Sequence, residues 1–320
     1  MKSTTHWDSY WQASNSLNSF GEGEAASGYN GELLAFWNSC FALLPANATV
    51  VDIGTGNGAI AVAARRYSDK KQCNYTIFGT DAAQINPQQA FTANPEIAGL
   101  LKTIQFYPEC KTEQLPFADL SVELVTSQFA FEYAERKPAL AECLRILKPA
   151  GLFTAIMHHS GSEIARDSAA GLAILTGFLQ NTAFFQAART LLTCMAEQRQ
   201  MPEKPELADN VQRANHALLA IAQQIKLTVT DTDMHWYSDV MARVAKLIIN
   251  FSEASISKLD AEQRNLTAFQ QRLADQQQAS MSVSAAEEFR QYLSALAVNF
   301  TLIEFKIDEQ LFGWILKIKK

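Results

Sequence analysis

The chain has 320 residues, 48% of them hydrophobic and 19% charged, a balance that excludes a disordered polymer and allows one large domain or two modest ones. Its net charge is −6 and its longest basic runs are Lys70-Lys71 and Lys319-Lys320, so no broad cationic surface for a nucleic-acid backbone is expected. The five cysteines are odd in number, widely spaced and never in a CxxC pair, which fits reduced thiols and a cytoplasmic location better than disulfides or a zinc site.

The N-terminal MKSTTHWDSYWQ lacks the apolar stretch of a secretory signal, and the run around Ala169 to Leu179 is too short to span a bilayer. No membrane partner is therefore expected. Residues 1–48 are predicted to form a helical N-terminal cap rich in aromatics: Trp7, Tyr10, Trp11, Tyr29 and the segment ELLAFWNSCFALL. From Thr49 to His159, short β-rich runs alternate with helical ones: TVVDI, AIAVAARRY, YTIFGTD, a Pro/Asn-bounded helix, TIQFY, VELVTSQF, a helix ending at ILKPAG, and LFTAIMHH. That alternation predicts βαβ units and a parallel sheet whose ligand sits at the carboxyl ends of the strands.

Residues 162–282 show helical spacing and no good strand, for example Val240, Val244, Leu247, Ile248 and Phe251, and read as a helical insertion. Its Gln-rich AEQRNLTAFQQRLADQQQ keeps Leu266, Phe269 and Leu273 on one stripe, as a solvated amphipathic helix does. Met234-His235-Trp236-Tyr237 opens another helix and is read as a packing cluster before an acceptor wall. After a last helix near Ser284 to Val298, FTLIEFKI and LFGWILKIK read as a hairpin joined by Asp308-Glu309-Gln310. The expected fold is α/β: a Rossmann-like, mostly parallel sheet over 49–161 and 283–320, closed by a C-terminal antiparallel hairpin and interrupted by the helical insertion.

The stretch VVDIGTGNGAI carries the candidate ligand loop, because glycines let a strand turn sharply into a helix and let a ligand approach backbone N–H groups. Gly54, Gly56 and Ala59 fit the loose dinucleotide pattern, while Asp52 with Gly54, Gly56 and Gly58 reads DxGxGxG. The latter resembles the first motif of class I S-adenosylmethionine-dependent methyltransferases. TEQLPFADLSVELVTSQFAFEY and ALAECLRILKPAGLFTAIMHH are similar to the following segments of the small-molecule branch that includes quinone-biosynthesis enzymes, with Ala150 in place of one glycine.

The resemblance implies S-adenosyl-L-methionine as cofactor, with Asp52, Gly54, Thr55, Gly56, Asn57 and Gly58 around its methionine end. It also implies Asp81 and Ala82 at the ribose; an NAD enzyme would want an acid there too, so Asp81 does not choose between cofactors. Counting back from LPF puts the adenine acid slot at Lys111, and counting forward from IQFY puts it near Glu109-Cys110; Lys111, Thr112 and Glu113 are kept as the neighbourhood. Gln128 and Phe129 follow the fourth strand, with Phe131 and Tyr133 as further faces for the positive sulfur, and Tyr10 and Tyr29 are expected in a lid.

SQFAFEY stands where amino-methylating enzymes of nucleic acids carry Asn/Asp-Pro-Pro-Tyr/Phe, and there is no Pro-Cys pair, so base methylation is disfavoured. His158 and His159 close the fifth strand, and alternation turns one of them, His158 in preference, toward the pocket as base or acceptor ligand; local hydrogen bonding alone is the competing reading. Glu132 is an alternative base or orienter, against a plain helix-dipole role. No metal site is expected. The expected partner is a small-molecule methyl acceptor bound with the insertion as cap, with a homodimer the assembly entertained. The alternatives are a non-catalytic S-adenosylmethionine-binding protein and a nicotinamide-dependent oxidoreductase.

Overall fold

The computed structural model describes residues 4–19 and 27–320, so the parts of the N-terminal cap at 1–3 and 20–26 lie outside the described residues. Two helices precede the sheet, α1 (Thr5–Ala13) and α2 (Gly31–Phe41). β1 (Thr49–Ile53) is buried from Val50 onward and leads through the glycines into α3 (Ala59–Lys71). α3 places Lys70 and Lys71 in its last turn, where the helix dipole favours cations, and stops at Gln72 in the left-handed conformation.

After β2 (Thr76–Thr80) the single Pro/Asn-bounded helix expected from the sequence is two short ones, α4 (Pro87–Ala90) and α5 (Pro95–Leu101). Each has its own asparagine cap, with Asn86 accepting from Gln89 N–H and Asn94 from Ile97 N–H, and each starts on a proline. The second Asn-Pro step, Asn94-Pro95, starts α5 after α4 has ended at Ala90. Next come β3 (Gln105–Tyr107), β4 (Val122–Gln128), α6 (Arg136–Ile146) and β5 (Leu147–Met157). The strand thus ends at Met157, and the two histidines lie just beyond it.

The chain divides into two compact units, Met1–Ala165 with Gln278–Lys320, and Arg166–Gln277. The second holds most of α7 (Glu163–Thr176) and α11 (Ser255–Ala279), with α8 (Phe184–Gln200), α9 (Pro205–Lys226) and α10 (Met234–Ile249). Its core gathers Phe178, Phe184, Leu191, Leu218, Val240 and Leu266. Trp236 lies directly on Gly171 and donates from Nε1 to Asp167 at 3.0 Å, a packing role within this unit.

α12 (Val283–Ala295), β6 (Asn299–Ile307) and β7 (Gln310–Lys319) complete the first unit. Its sheet has seven strands in the order β3-β2-β1-β4-β5-β7-β6, parallel through β5, with β7 antiparallel to both neighbours. This is the mostly parallel α/β sheet with an antiparallel hairpin that the sequence predicts. Gln310 belongs to β7, paired with Ile307, so the turn is Asp308-Glu309 alone, with φ of 50° and 63°. Two left-handed residues give the primed turn whose twist matches a tight hairpin.

Alternation along β1 sends Val50 to one core, with Trp37, Phe41 and Ile60, and Val51 and Ile53 to the other, with Phe153, Phe289 and Trp314. Removing each such side chain from water contributes about 1.5–3 kcal/mol before entropy is counted. Among the described residues no helix is long and apolar enough to cross a membrane.

Candidate active site

The three glycines after β1 take φ of 59°, 53° and 93° at Gly54, Gly56 and Gly58. A Cβ on Gly54 would stand 2.2 Å from the Cβ of Ala130, and one on Gly56 would stand 2.4 Å from the indole of Trp11. The loop therefore needs glycine for both conformation and space.

Two acids fix its shape. Asp52, 1% exposed, accepts from the Thr55 hydroxyl at 2.6 Å and the Thr126 hydroxyl at 2.9 Å. Asp81 accepts from the backbone N–H groups of Gly56 and Ala83, both at 2.8 Å. Burial pushes the Asp52 carboxyl up to about 7 and that of Asp81 up to about 6, against these hydrogen bonds.

A folded-state pKa above the unfolded one means that the native protein holds the proton longer, so stability falls as pH rises from about 4 to about 7. Asp52→Asn removes that titration. Thermal melts at pH 4.5, 6.0 and 7.5 should show wild-type stability falling relative to the variant, by up to about 3–4 kcal/mol for complete burial. Parallel pH profiles would contradict this assignment.

α1 lies across the same loops. The side-chain amide of Asn57 faces three carbonyls, Trp11 at 3.4 Å, Ser14 at 3.2 Å and Ser16 at 3.0 Å. Asp8 accepts from Gln84 N–H at 2.9 Å, and Gln12 donates to Gln84 O at 3.1 Å. Trp7 meets Tyr133 edge-on at 5.7 Å. The N-terminal helix is thereby fastened to the segments following β1, β2 and β4. Tyr10 packs edge-on against Trp11 at 4.9 Å, and Tyr29 packs against the core cluster that contains Trp37.

His158 and Glu132, which the sequence offers as alternatives, form one pair. Glu132 Oε1 lies 2.7 Å from His158 Nδ1 and accepts the His158 backbone N–H at 2.7 Å. An ionised carboxylate can only accept, so the pairing sets the ring proton on Nδ1 and leaves Nε2 as a lone pair. Phe129, itself at φ 54°, stacks on the imidazole at 4.1 Å, and Tyr133 meets it edge-on at 5.9 Å. His159 turns the other way: it stacks on Trp314 at 4.6 Å, accepts from Gly161 N–H, and burial lowers its pKa.

Phe131 does not join this group. It is fully buried among Phe153 and Phe289, because the single 3-10 turn Phe131–Tyr133 rotates it into the core while Glu132 faces His158. Gln128 accepts from Trp37 Nε1 at 2.7 Å, a contact no sequence signal announced. Beyond β3, Glu109 N–H and Cys110 N–H donate to Ala83 O and Asp81 O, so the forward count from IQFY brings Glu109-Cys110 against the Asp81 segment. Ala82 beside them is exposed. Lys111 is exposed, Thr112 half-buried, and Glu113 accepts from Glu135 N–H at 2.8 Å at the start of α6.

Four buried polar atoms along this edge have no hydrogen-bond partner among the described residues: Asn57 Oδ1, Thr80 Oγ1, Gln128 Nε2 and Glu132 Oε2. Such atoms cost about 1–3 kcal/mol each unless a ligand or water meets them. With the glycine cradle and a carboxylate at the end of β2, they suit a polar ligand bearing both donors and acceptors. Among the described residues no group of three or more His, Cys, Asp or Glu could hold a metal.

A family model described as a methyltransferase domain matches residues 51–155, from β1 to β5. No curated protein matches the chain. Similar solved structures include a SAM-dependent methyltransferase from Aquifex aeolicus, 17% identical over 44% of this chain and 71% of that one, TM-score 0.36. Geranyl diphosphate C-methyltransferase from Streptomyces coelicolor is 16% identical over 48% of this chain and 62% of that one, TM-score 0.36. The YcgJ protein from Bacillus subtilis is 24% identical over 44% and 57%, TM-score 0.32. The chain spans about half the length of the first solved chains it matches, 52%, 44% and 57%. These are partial likenesses. What the comparisons show is a methyltransferase domain over residues 51–155.

Proposed function

We propose that the chain transfers a methyl group from S-adenosyl-L-methionine to a small molecule through an oxygen or nitrogen that must lose a proton, with His158 taking that proton. The buried Glu132–His158 pair at 2.7 Å carries this reading. S-adenosylmethionine, when bound, supplies a methyl group made electrophilic by its sulfonium. The glycine loop from Gly54 to Gly58 would take its methionine end and Asp81 its ribose hydroxyls. Phe129 and Tyr133 hold the imidazole from face and edge, and Glu132 keeps its proton on Nδ1, so Nε2 is the atom that takes the acceptor's proton. Glu132 is then a positioning residue and His158 the base.

From its place in the chain, between β5 and α12, we assign the choice of acceptor to the helical insertion.

The demethylated cofactor, S-adenosylhomocysteine, should stabilise the protein by about 2–3 kcal/mol at a hundredfold excess over Kd, whereas NAD and NADP should not shift the melt. Stabilisation by a nicotinamide nucleotide instead would sink the cofactor reading. Stabilisation by S-adenosylhomocysteine, without methyl transfer to any member of a panel of phenols and primary amines, would favour a binding protein.

A further inference from the structure

We propose that β6 is a self-pairing edge through which two copies of the chain join their sheets into one. β6 ends the strand order, so among the described residues one side of it has no neighbouring strand in the sheet. Ile307 and Gln310 flank a two-residue turn and form the closely spaced hydrogen-bonded pair of the hairpin. The register shifts between Phe305 and Lys306, where β7 carries the extra residue Phe312, so the phase is kept along β6 itself: alternation there aims the backbone groups of Phe305 and Ile303 at β7, and those of Lys306, Glu304 and Leu302 outward. Arg290 confirms the phase: it reaches the Leu302 carbonyl from outside the hairpin, at 2.8 Å from Nη2 and 3.3 Å from Nε. Among the described residues the edge is thus capped at Leu302 and open from Ile303 to Ile307.

That open stretch, Ile303-Glu304-Phe305-Lys306-Ile307, is symmetric about Phe305 in side-chain class and antisymmetric in charge. When two copies run antiparallel about a twofold axis at Phe305, Glu304 of each falls opposite Lys306 of the other. The pair consists of the outward residues, which exchange both backbone hydrogen bonds. On the opposite face Ile303 meets Ile307, and Phe305 meets its own copy. Opposite charges and β-branched pairs across strands each add stability, and like charges in those places remove it. One register therefore satisfies the backbone, the charge pattern and the apolar face together.

The side chains involved are accessible. Ile303 is 51% exposed, the Glu304 side chain 48%, and Lys306 is exposed. Within the chain, Glu304 Oε1 lies 3.6 Å from His159 Nε2, at ion-pair distance, and works against the burial that lowers the pKa of that ring. A long edge with an exposed isoleucine invites pairing, and a self-complementary charge pattern restricts it to the antiparallel copy.

Sedimentation velocity of the full chain tests the proposal. Wild type should sediment as a species of twice the 35.4 kDa chain at micromolar concentration. Glu304→Lys and Lys306→Glu each place like charges opposite one another and should raise the dimer dissociation constant at least ~10-fold, whereas the double exchange should restore dimerisation. Because the double variant keeps the composition and must fold to dimerise, its recovery separates pairing from misfolding. A wild type that stays monomeric at 100 µM, or single variants that dimerise as tightly as wild type, would overturn the proposal.

Discussion

Replacing His158 with glutamine is expected to lower methyl transfer by about 10²–10⁴-fold while leaving the affinity for S-adenosylhomocysteine unchanged. The imidazole is held at three points, the carboxylate of Glu132, the stacked ring of Phe129 and the edge of Tyr133, so Nε2 has one direction left in which to accept. Glu132→Gln keeps an oxygen able to accept the two N–H groups but removes the charge that stabilises the protonated ring. Its rate should fall less, by about 10–10²-fold. The measurement is initial rate against pH with the acceptor found by screening, alongside calorimetric titration of S-adenosylhomocysteine. Equal rates in His158→Gln and wild type would remove the base from the mechanism and leave positioning and water exclusion as the means of catalysis.

The largest structural effect is expected at Gly54. Gly54→Ala places a methyl group 2.2 Å from the Cβ of Ala130 on a residue with φ of 59°, so the loop after β1 and the segment after β4 must separate. Strain in the left-handed region and overpacking together should cost about 2–5 kcal/mol. Binding of S-adenosylhomocysteine should be lost as well, because the same displacement moves the Gly56 N–H away from Asp81. Gly99→Ala is the control: nothing lies within 4 Å of the place its methyl group would take and it sits inside α5, so the change should be neutral or stabilising by about 0.5–1 kcal/mol. A Gly54→Ala protein that melts with wild type and binds ligand normally would show that the two segments are not held against each other in solution.

The sheet and the glycine loop were legible because each rests on local signals: β-branched runs ending in glycines, and asparagine or proline at helix starts. The pairing of His158 with Glu132 was not, although its cause is simple. The two residues lie 26 apart in sequence, just beyond the ends of β4 and β5, which run parallel and side by side with Gln128 opposite Ile156. Residues that leave neighbouring parallel strands at the same edge must meet, so the strand order would have suggested the contact. The burial of Phe131 depended on a single 3-10 turn, for which FEY gives no signature. The three carbonyls gathered by Asn57 belong to a segment more than 40 residues earlier, and no pattern in WQASNS marks them as acceptors.

The seat of Trp11 on Gly56 gives the glycine loop a built-in spectroscopic probe. An indole resting on the backbone proposed to receive the cofactor would share that ligand's surroundings, so its emission responds to the loop rather than to the protein at large. The other tryptophans, Trp7, Trp37, Trp236 and Trp314, pack elsewhere, and a Trp11→Phe spectrum subtracted from that of wild type isolates the one that watches the loop.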